Sequence, residues 1–182
     1  MKKLVNGRLV NLTAEEITAR KAEEQKEDVR ASSMQKGEET KTIFFWNNRN
    51  ARRKMSGSVL WWFAEWAKKI GEDKVLFIMH TEPNDPNGQD LNAIIHELDA
   101  ENDVVLSVQK VGMAELSVLY NVADCTVNIS DAEGFGLATL ESLACGTPII
   151  VNMTGGLQEQ VTDGEEYFGI GIEPSSKAVI GS

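Results

Sequence analysis

Residues 124–151 read DCTVNISDAEGFGLATLESLACGTPIIV, and this stretch decides the fold. Asp124–Ile129 is a short apolar run rich in β-branched residues, the pattern of a buried strand. Ser130–Leu137 is a polar, glycine-bearing loop that opens a helix over Phe135–Cys145. Thr147–Val151 (TPIIV) is a second continuous apolar run, and Leu157–Thr162 starts another helix. The same alternation extends upstream. Thr42–Asn47 (TIFFWN), Lys74–His80 (KVLFIMH) and Asp103–Val108 (DVVLSV) read as strands. Between them, Ser56–Ile70 carries Val59, Leu60, Trp62, Phe63, Trp66 and Ile70 at helical spacing, and Gln89–Leu98 and Met113–Val122 read as shorter helices. Strands alternating with helices over about 120 residues predict an α/β fold with a Rossmann-like, doubly wound parallel sheet. The strands are continuously apolar because both faces of such a sheet are covered.

The other residues set the bounds of the reading. The chain has 182 residues, with 42% hydrophobic and 25% charged, an ordinary globular composition. All twelve aromatic residues lie after position 43. Residues 1–41 hold few large aliphatics and cannot build a core alone. They are expected to form a separate appendage: a hairpin around Asn6-Gly7, a charged helix from the Thr13-Ala-Glu-Glu16 capping box to about Arg30, and a linker over 32–41. The domain proper is then 42–182. The opening, with no long apolar core and no small-residue cleavage site, reads as lacking a secretory signal. No apolar run reaches the length of a membrane span. Cys125 and Cys145 sit in apolar settings without metal-ligand spacing, as reduced thiols of a cytoplasmic protein would.

Charge is distributed unevenly. Net charge is −10, and residues 42–182 carry 9 Lys/Arg against 20 Asp/Glu. That acidity argues against nucleic-acid binding. Four of the nine cations nevertheless fall within six residues: Arg49, Arg52, Arg53 and Lys54. This loop leaves the first strand of the sheet, where ligands of doubly wound folds bind. It is either a solvated basic turn or an anion site, for which the arginine fork and lysine point charge are suited. The loop after the fourth strand, Ser130–Leu137, offers Gly134 and Gly136 for close backbone approach and a helix start that favours an anion. Glu133 and Glu141, with seven residues between them, can face one cleft and accept hydrogen bonds from sugar hydroxyls, although a helical glutamate is most often a plain surface residue. His80 and His96 stand apart and read as structural, and no metal site is expected. The Trp61, Trp62 and Trp66 stripe is read as core packing against the sheet, with a partner surface as the alternative.

Taken together and in order, these motifs resemble the donor-binding, C-terminal half of a GT-B glycosyltransferase of the group 1 (family 4) type. The resemblance rests on Arg49 and Lys54 five apart after the first strand, and on Ala114-Glu-Leu-Ser-Val-Leu-Tyr-Asn-Val-Ala-Asp124 after the third. It rests also on the E-x7-E stretch Glu133-Gly-Phe-Gly-Leu-Ala-Thr-Leu-Glu141, on Ser142–Val151, and on Gly155-Gly-Leu-Gln-Glu159.

By that resemblance the partner is a nucleotide-diphosphate sugar, used as donor substrate with no cofactor and no metal. Arg49 and Lys54 would hold its diphosphate, and Glu133 with the backbone of Gly134, Phe135, Gly136 and Leu137 would meet the sugar and phosphates. Glu141 would bond the ribose, and main chain near Gln109-Lys110 would meet the base. Arg52 and Arg53 have no place in the pattern and are expected to face solvent. The resemblance implies glycosyl transfer with retained configuration. It covers one half of a two-domain enzyme, so the domain is expected to be truncated at its C-terminal end. A partner chain or self-association would then supply the acceptor-binding half. The alternative is a non-catalytic binding or structural module derived from that half. The opening hairpin and T-x-E-E helix also resemble the leader of some phage tail or virion-associated proteins, which would place the chain in a host cytoplasm.

Overall fold

The computed structural model describes residues 2–5, 8–11, 13 and 41–174. The chain separates into two units, Met1–Thr40 and Lys41–Ser182. In the first, β1 (Lys2–Val5) pairs antiparallel with β2 (Arg8–Asn11), with Val5 opposite Arg8. This is the hairpin expected from Asn6-Gly7. The predicted charged helix and the rest of the linker fall outside the described residues.

The second unit is a six-stranded, all-parallel sheet. Its strands are β3 (Thr42–Asn47), β4 (Val75–His80), β5 (Val104–Ser107), β6 (Cys125–Asn128), β7 (Ile149–Asn152) and β8 (Gly169–Ile172). Their order across the sheet is β5-β4-β3-β6-β7-β8. The chain therefore winds outward from β3 through β4 to β5, returns to the other side of β3, and continues through β6 to β8. Loops leaving β3 and β6 diverge at that reversal and open a crevice at the carboxyl ends of the strands. Asn47 is level with His80, so the ends of β3 and β4 reach the crevice together.

Alternation along each strand divides the core. Trp46, Phe77 and Met79 pack with Val59, Leu60 and Phe63 of α1 (Ser56–Ile70) and with Leu91 and Ile95 of α2 (Leu91–Glu97). Phe45 instead joins Tyr120 and Leu116 of α3 (Met113–Val122), together with Ile43 and Ile78. Phe45 and Trp46 are both fully buried, which accounts for the unbroken apolar run of β3. The fold is completed by α4 (Leu137–Ala144) and by α5 (Leu157–Val161), which packs on Ile149 and Val151.

Most expected elements sit within two residues of their predicted bounds. Two readings are corrected. First, β8 was not expected. Its sequence, GIGI, lacks an apolar run, yet the glycines are what let it pair: a Cβ at Gly169 would lie 2.3 Å from the Ile149 carbonyl oxygen. Second, Trp61 and Trp62 are not core residues, being 46% and 62% exposed. The sheet needs only the Val59/Leu60/Phe63/Ala64/Ala67 face of α1, and these two rings fall outside it. They contact each other edge to face at 4.6 Å. Trp66 sits between, half exposed, with its edge on Phe44. Cys125 and Cys145 form no disulfide, and burial pushes the Cys125 thiol up to about 11. No helix among the described residues is long and apolar enough to cross a membrane.

Candidate functional site

The loop between β3 and α1 is fixed by one buried side chain. Asn50 is fully buried, and all of its polar capacity is used. Its Nδ2 donates to the carbonyls of Pro83 (3.0 Å) and Gln89 (2.7 Å). Its Oδ1 accepts from Ser56 Oγ (2.7 Å) and Gln89 N (3.2 Å). The loop is thereby laced to the turn-rich 81–90 segment that leaves β4. Met55, with φ 57 in the left-handed region, then turns the chain from a short 3-10 turn (Arg52–Lys54) into α1.

That turn points Lys54 inward. Lys54 is only 7% exposed; its Nζ donates to Asn48 Oδ1 at 2.8 Å and forms an ion pair with Glu133. A buried lysine without such partners would cost several kcal/mol. Arg53 stays solvent-exposed, in line with expectation, while its Nη1 donates to the Ala132 carbonyl (2.8 Å) and lies 3.4 Å from the same Glu133 carboxylate. Arg52 is exposed, as expected. Arg49 donates through Nε and Nη2 to both oxygens of Asp85, at 2.6 and 3.2 Å. That fork, with the Asn87 amide, holds the Asp85 carboxyl down at about 2.

The loop between β6 and α4 is built differently. Gly155 (φ 49) and Gly156 lie flat against it: a Cβ at Gly155 would sit 1.9 Å from the Glu133 carbonyl oxygen, and Gly156 N donates to that oxygen at 3.1 Å. Gly136, with φ 81, caps the start of α4. Gln160 Nε2 donates to the carbonyls of Phe135 (2.5 Å) and Gly136 (3.1 Å), while its Oε1 accepts from Thr139 Oγ1 at 2.5 Å. As at any helix start, the first-turn N–H groups of α4 lack intrahelical acceptors and carry the positive end of the helix dipole.

Further along α4, Glu141 Oε2 accepts from the Tyr120 hydroxyl at 2.9 Å, and that hydroxyl accepts from Asn47 Nδ2 at 2.8 Å. Burial is the main reason the Tyr120 hydroxyl stays protonated far above its ordinary range. His80, at the end of β4, places Nδ1 2.9 Å from Ser107 Oγ, and burial lowers its pKa, which keeps the ring neutral at pH 7. His96 instead lies at the surface against Glu101 (2.8 Å), which raises its pKa.

These pieces enclose a single cleft of about 650 Å³. Every residue singled out for the site lines it: Arg49, Lys54, Glu133, Gly134, Phe135, Gly136, Leu137 and Glu141, with Gln109 and Lys110 also on its wall. His80 and Asn48 line it too and were not anticipated in that role. Nor were Asn50, Asp85, Tyr120 and Gln160, which hold the lining residues from behind. The TEPNDPNG segment signalled only a turn, and nothing in its spacing named Arg49 as the partner of Asp85. Among the described residues no group of three or more His, Cys, Asp or Glu side chains is placed to hold a metal ion.

The family model for glycosyl transferases group 1 matches residues 27–180. A D-inositol 3-phosphate glycosyltransferase from Streptosporangium roseum is 48% identical over 63 residues, 35% of this chain and 14% of that protein. One from Kineococcus radiotolerans is 40% identical over 78 residues, 43% of this chain and 18% of that protein. Sucrose-phosphate synthase from Thermosynechococcus elongatus superposes with a TM-score of 0.62 at 25% identity, over 81% of this chain and 36% of that one. Anabaena HepE, solved in complex with UDP, shares the fold at 21% identity and a TM-score of 0.61, over 82% of this chain and 39% of that one. The chain thus matches less than a fifth of those two curated relatives and a little over a third of those two solved chains. With a family match over residues 27–180, most of its length, the chain belongs to the group 1 glycosyl transferases.

Proposed function

We propose that the cleft binds a nucleotide-diphosphate sugar, and that this domain is the donor-binding half of a retaining glycosyltransferase. The observation that carries the reading is the convergence of Arg49, Lys54, the start of α4 and both glutamates of the E-x7-E stretch on one cleft at the reversal of strand order. In this reading Arg49, Lys54 and the α4 N–H groups hold the diphosphate. Glu133 and the Gly134–Leu137 backbone meet the sugar, and Glu141 accepts hydrogen bonds from the ribose hydroxyls.

Catalysis then follows from charge. As the anomeric C–O bond breaks, its electron pair passes to the leaving diphosphate oxygen, and the sugar becomes cationic. Cations and dipoles already in place stabilise the diphosphate without reorganising. Glu133, held by Lys54 and Arg53, keeps negative charge near the sugar. The acceptor is positioned by a further domain or a partner chain.

The test is a titration of the purified chain with UDP, GDP and ADP, followed by thermal unfolding and calorimetry. A ligand at 100 times its Kd raises stability by about 2.7 kcal/mol. One diphosphate is expected to do so, and the Arg49→Ala/Lys54→Ala double variant to lose the effect. A chain that responds to none, or a double variant that responds fully, refutes the donor site. Mass spectrometry of donor mixtures, with and without candidate partner chains, then reads hydrolysis or transfer. Binding with no turnover under either condition would favour the non-catalytic module.

A further inference from the structure

Tyr120 is buried, 1% exposed, and its ring stands edge-on to Phe45 with centroids 5.0 Å apart. A phenylalanine would fill that space equally well. What phenylalanine lacks is the hydroxyl, which makes two bonds with a forced direction. Ionised Glu141 can only accept, so the single phenolic proton goes to its Oε2, 2.9 Å away. The group facing the phenolic oxygen from β3 must then donate, and Asn47 Nδ2 does so at 2.8 Å. The chain Asn47→Tyr120→Glu141 therefore runs one way, from the end of β3 through α3 into α4. Glu141 is an exposed residue at the cleft wall, and a free glutamate there would sample several rotamers. Anchored at Oε2, it keeps Oε1 for a ligand.

We propose that Tyr120 is a positioning residue for ribose recognition: its hydroxyl fixes Glu141 in the orientation that accepts from the nucleotide's ribose. The proposal rests on the donor-binding reading above and goes beyond it by naming the group that preorganises the carboxylate. Tyr120 does not line the cleft, so it acts only through Glu141.

The test uses the whole chain and two probe sets: UDP, GDP and ADP, and their 2′,3′-dideoxy analogues, which keep the diphosphate and base but lack both ribose hydroxyls. Calorimetric affinities are measured for wild type, Tyr120→Phe, Glu141→Gln and the double variant. Wild type is expected to prefer the ribose form. Tyr120→Phe should weaken that form by about tenfold, the scale of one charge-assisted hydrogen bond, and leave the dideoxy form within about twofold. In the Glu141→Gln background the tyrosine substitution should add less than about twofold, because the two act as one unit. Asn47→Ala is the second variant, should Tyr120→Phe fold poorly; it should give a smaller loss, again confined to the ribose form.

If wild type binds ribose and dideoxy forms alike, or binds no diphosphate, the ribose reading falls and takes this proposal with it. If wild type discriminates but Tyr120→Phe still binds the ribose form normally, the proposal alone is overturned. It is also overturned if Tyr120→Phe weakens both forms equally, the signature of a purely structural tyrosine, or if the losses in the double variant multiply.

Discussion

The two loops that face each other across the cleft are built on opposite principles. The 47–55 loop offers side-chain charge, and its backbone is held by another side chain, Asn50, whose bonds reach 33 to 39 residues along the chain. The 130–137 loop offers backbone N–H groups and is held by contact so close that only glycine fits opposite it, at Gly155 and Gly156. The contrast shows what each loop tolerates. Charge on a long side chain can be lost with the fold intact, whereas a backbone surface seated on glycine fails as a unit.

The largest effect should come from Gly155→Val. Its Cβ would enter the Glu133 carbonyl, and φ 49 is unfavourable for a branched residue. The expected loss is at least about 3 kcal/mol, read as a fall of roughly 10 °C in Tm, with nucleotide binding abolished. Gly134, in the same loop region, is the control: a Cβ there meets nothing within 4 Å, so Gly134→Ala should change stability by under about 0.5 kcal/mol. If the two glycines behave alike, the distinction between the loops collapses.

Next in size is Lys54→Met, which leaves the partly buried Glu133 with only the more distant Arg53. About 2 kcal/mol of stability should be lost, less than for a wholly stranded charge because Arg53 remains. Diphosphate affinity should fall more than for any other single cation, as measured by calorimetry. Gln160→Leu should cost about 1–2 kcal/mol, since it removes the side-chain donor that ties the Phe135 and Gly136 carbonyls to α5 and so braces the start of α4. If Gln160→Leu leaves affinity untouched, the α4 amides are not set by that contact.

These residues also mark the limit of what the chain discloses before it folds. Periodicity gave α1 and α3 to the residue and four strands within one or two, because apolar spacing is local. The site residues that lie in motifs, from Arg49 to Glu141, were legible because each follows a strand, and parallel winding brings strand ends together. The supporting residues were not. Asp85 meets Arg49 across 36 positions, Gln160 meets Phe135 across 25, and Tyr120 meets Asn47 across 73. Nothing periodic links such pairs; only the strand order does. The exposed tryptophans failed for a related reason: apolar spacing names a stripe on α1 without saying how much of it one sheet face can cover.

The smallest effect belongs to the Arg49–Asp85 pair, and it refines the comparison. Arg49 lines the cleft yet spends Nε and one Nη2 hydrogen on Asp85, leaving Nη1 for a ligand. Asp85 does not line the cleft. The carboxylate therefore steadies the arginine from behind, much as Asn50 steadies the loop. Since the folded Asp85 sits at about 2 against an ordinary 3.8, the pair's contribution is fully present above 3.8 and is lost as pH falls through about 2. Ligand affinity should accordingly show no titration from this pair between roughly pH 5 and 8. Asp85→Asn should weaken diphosphate binding by about threefold, an exposed-pair effect. Arg49→Ala should raise the Asp85 midpoint, followed by carboxyl NMR shifts, only part of the way to 3.8, because the Asn87 amide still donates to it at 2.8 Å. A midpoint that does not move would mean the Asn87 turn alone holds Asp85, and would leave Arg49 a free surface cation.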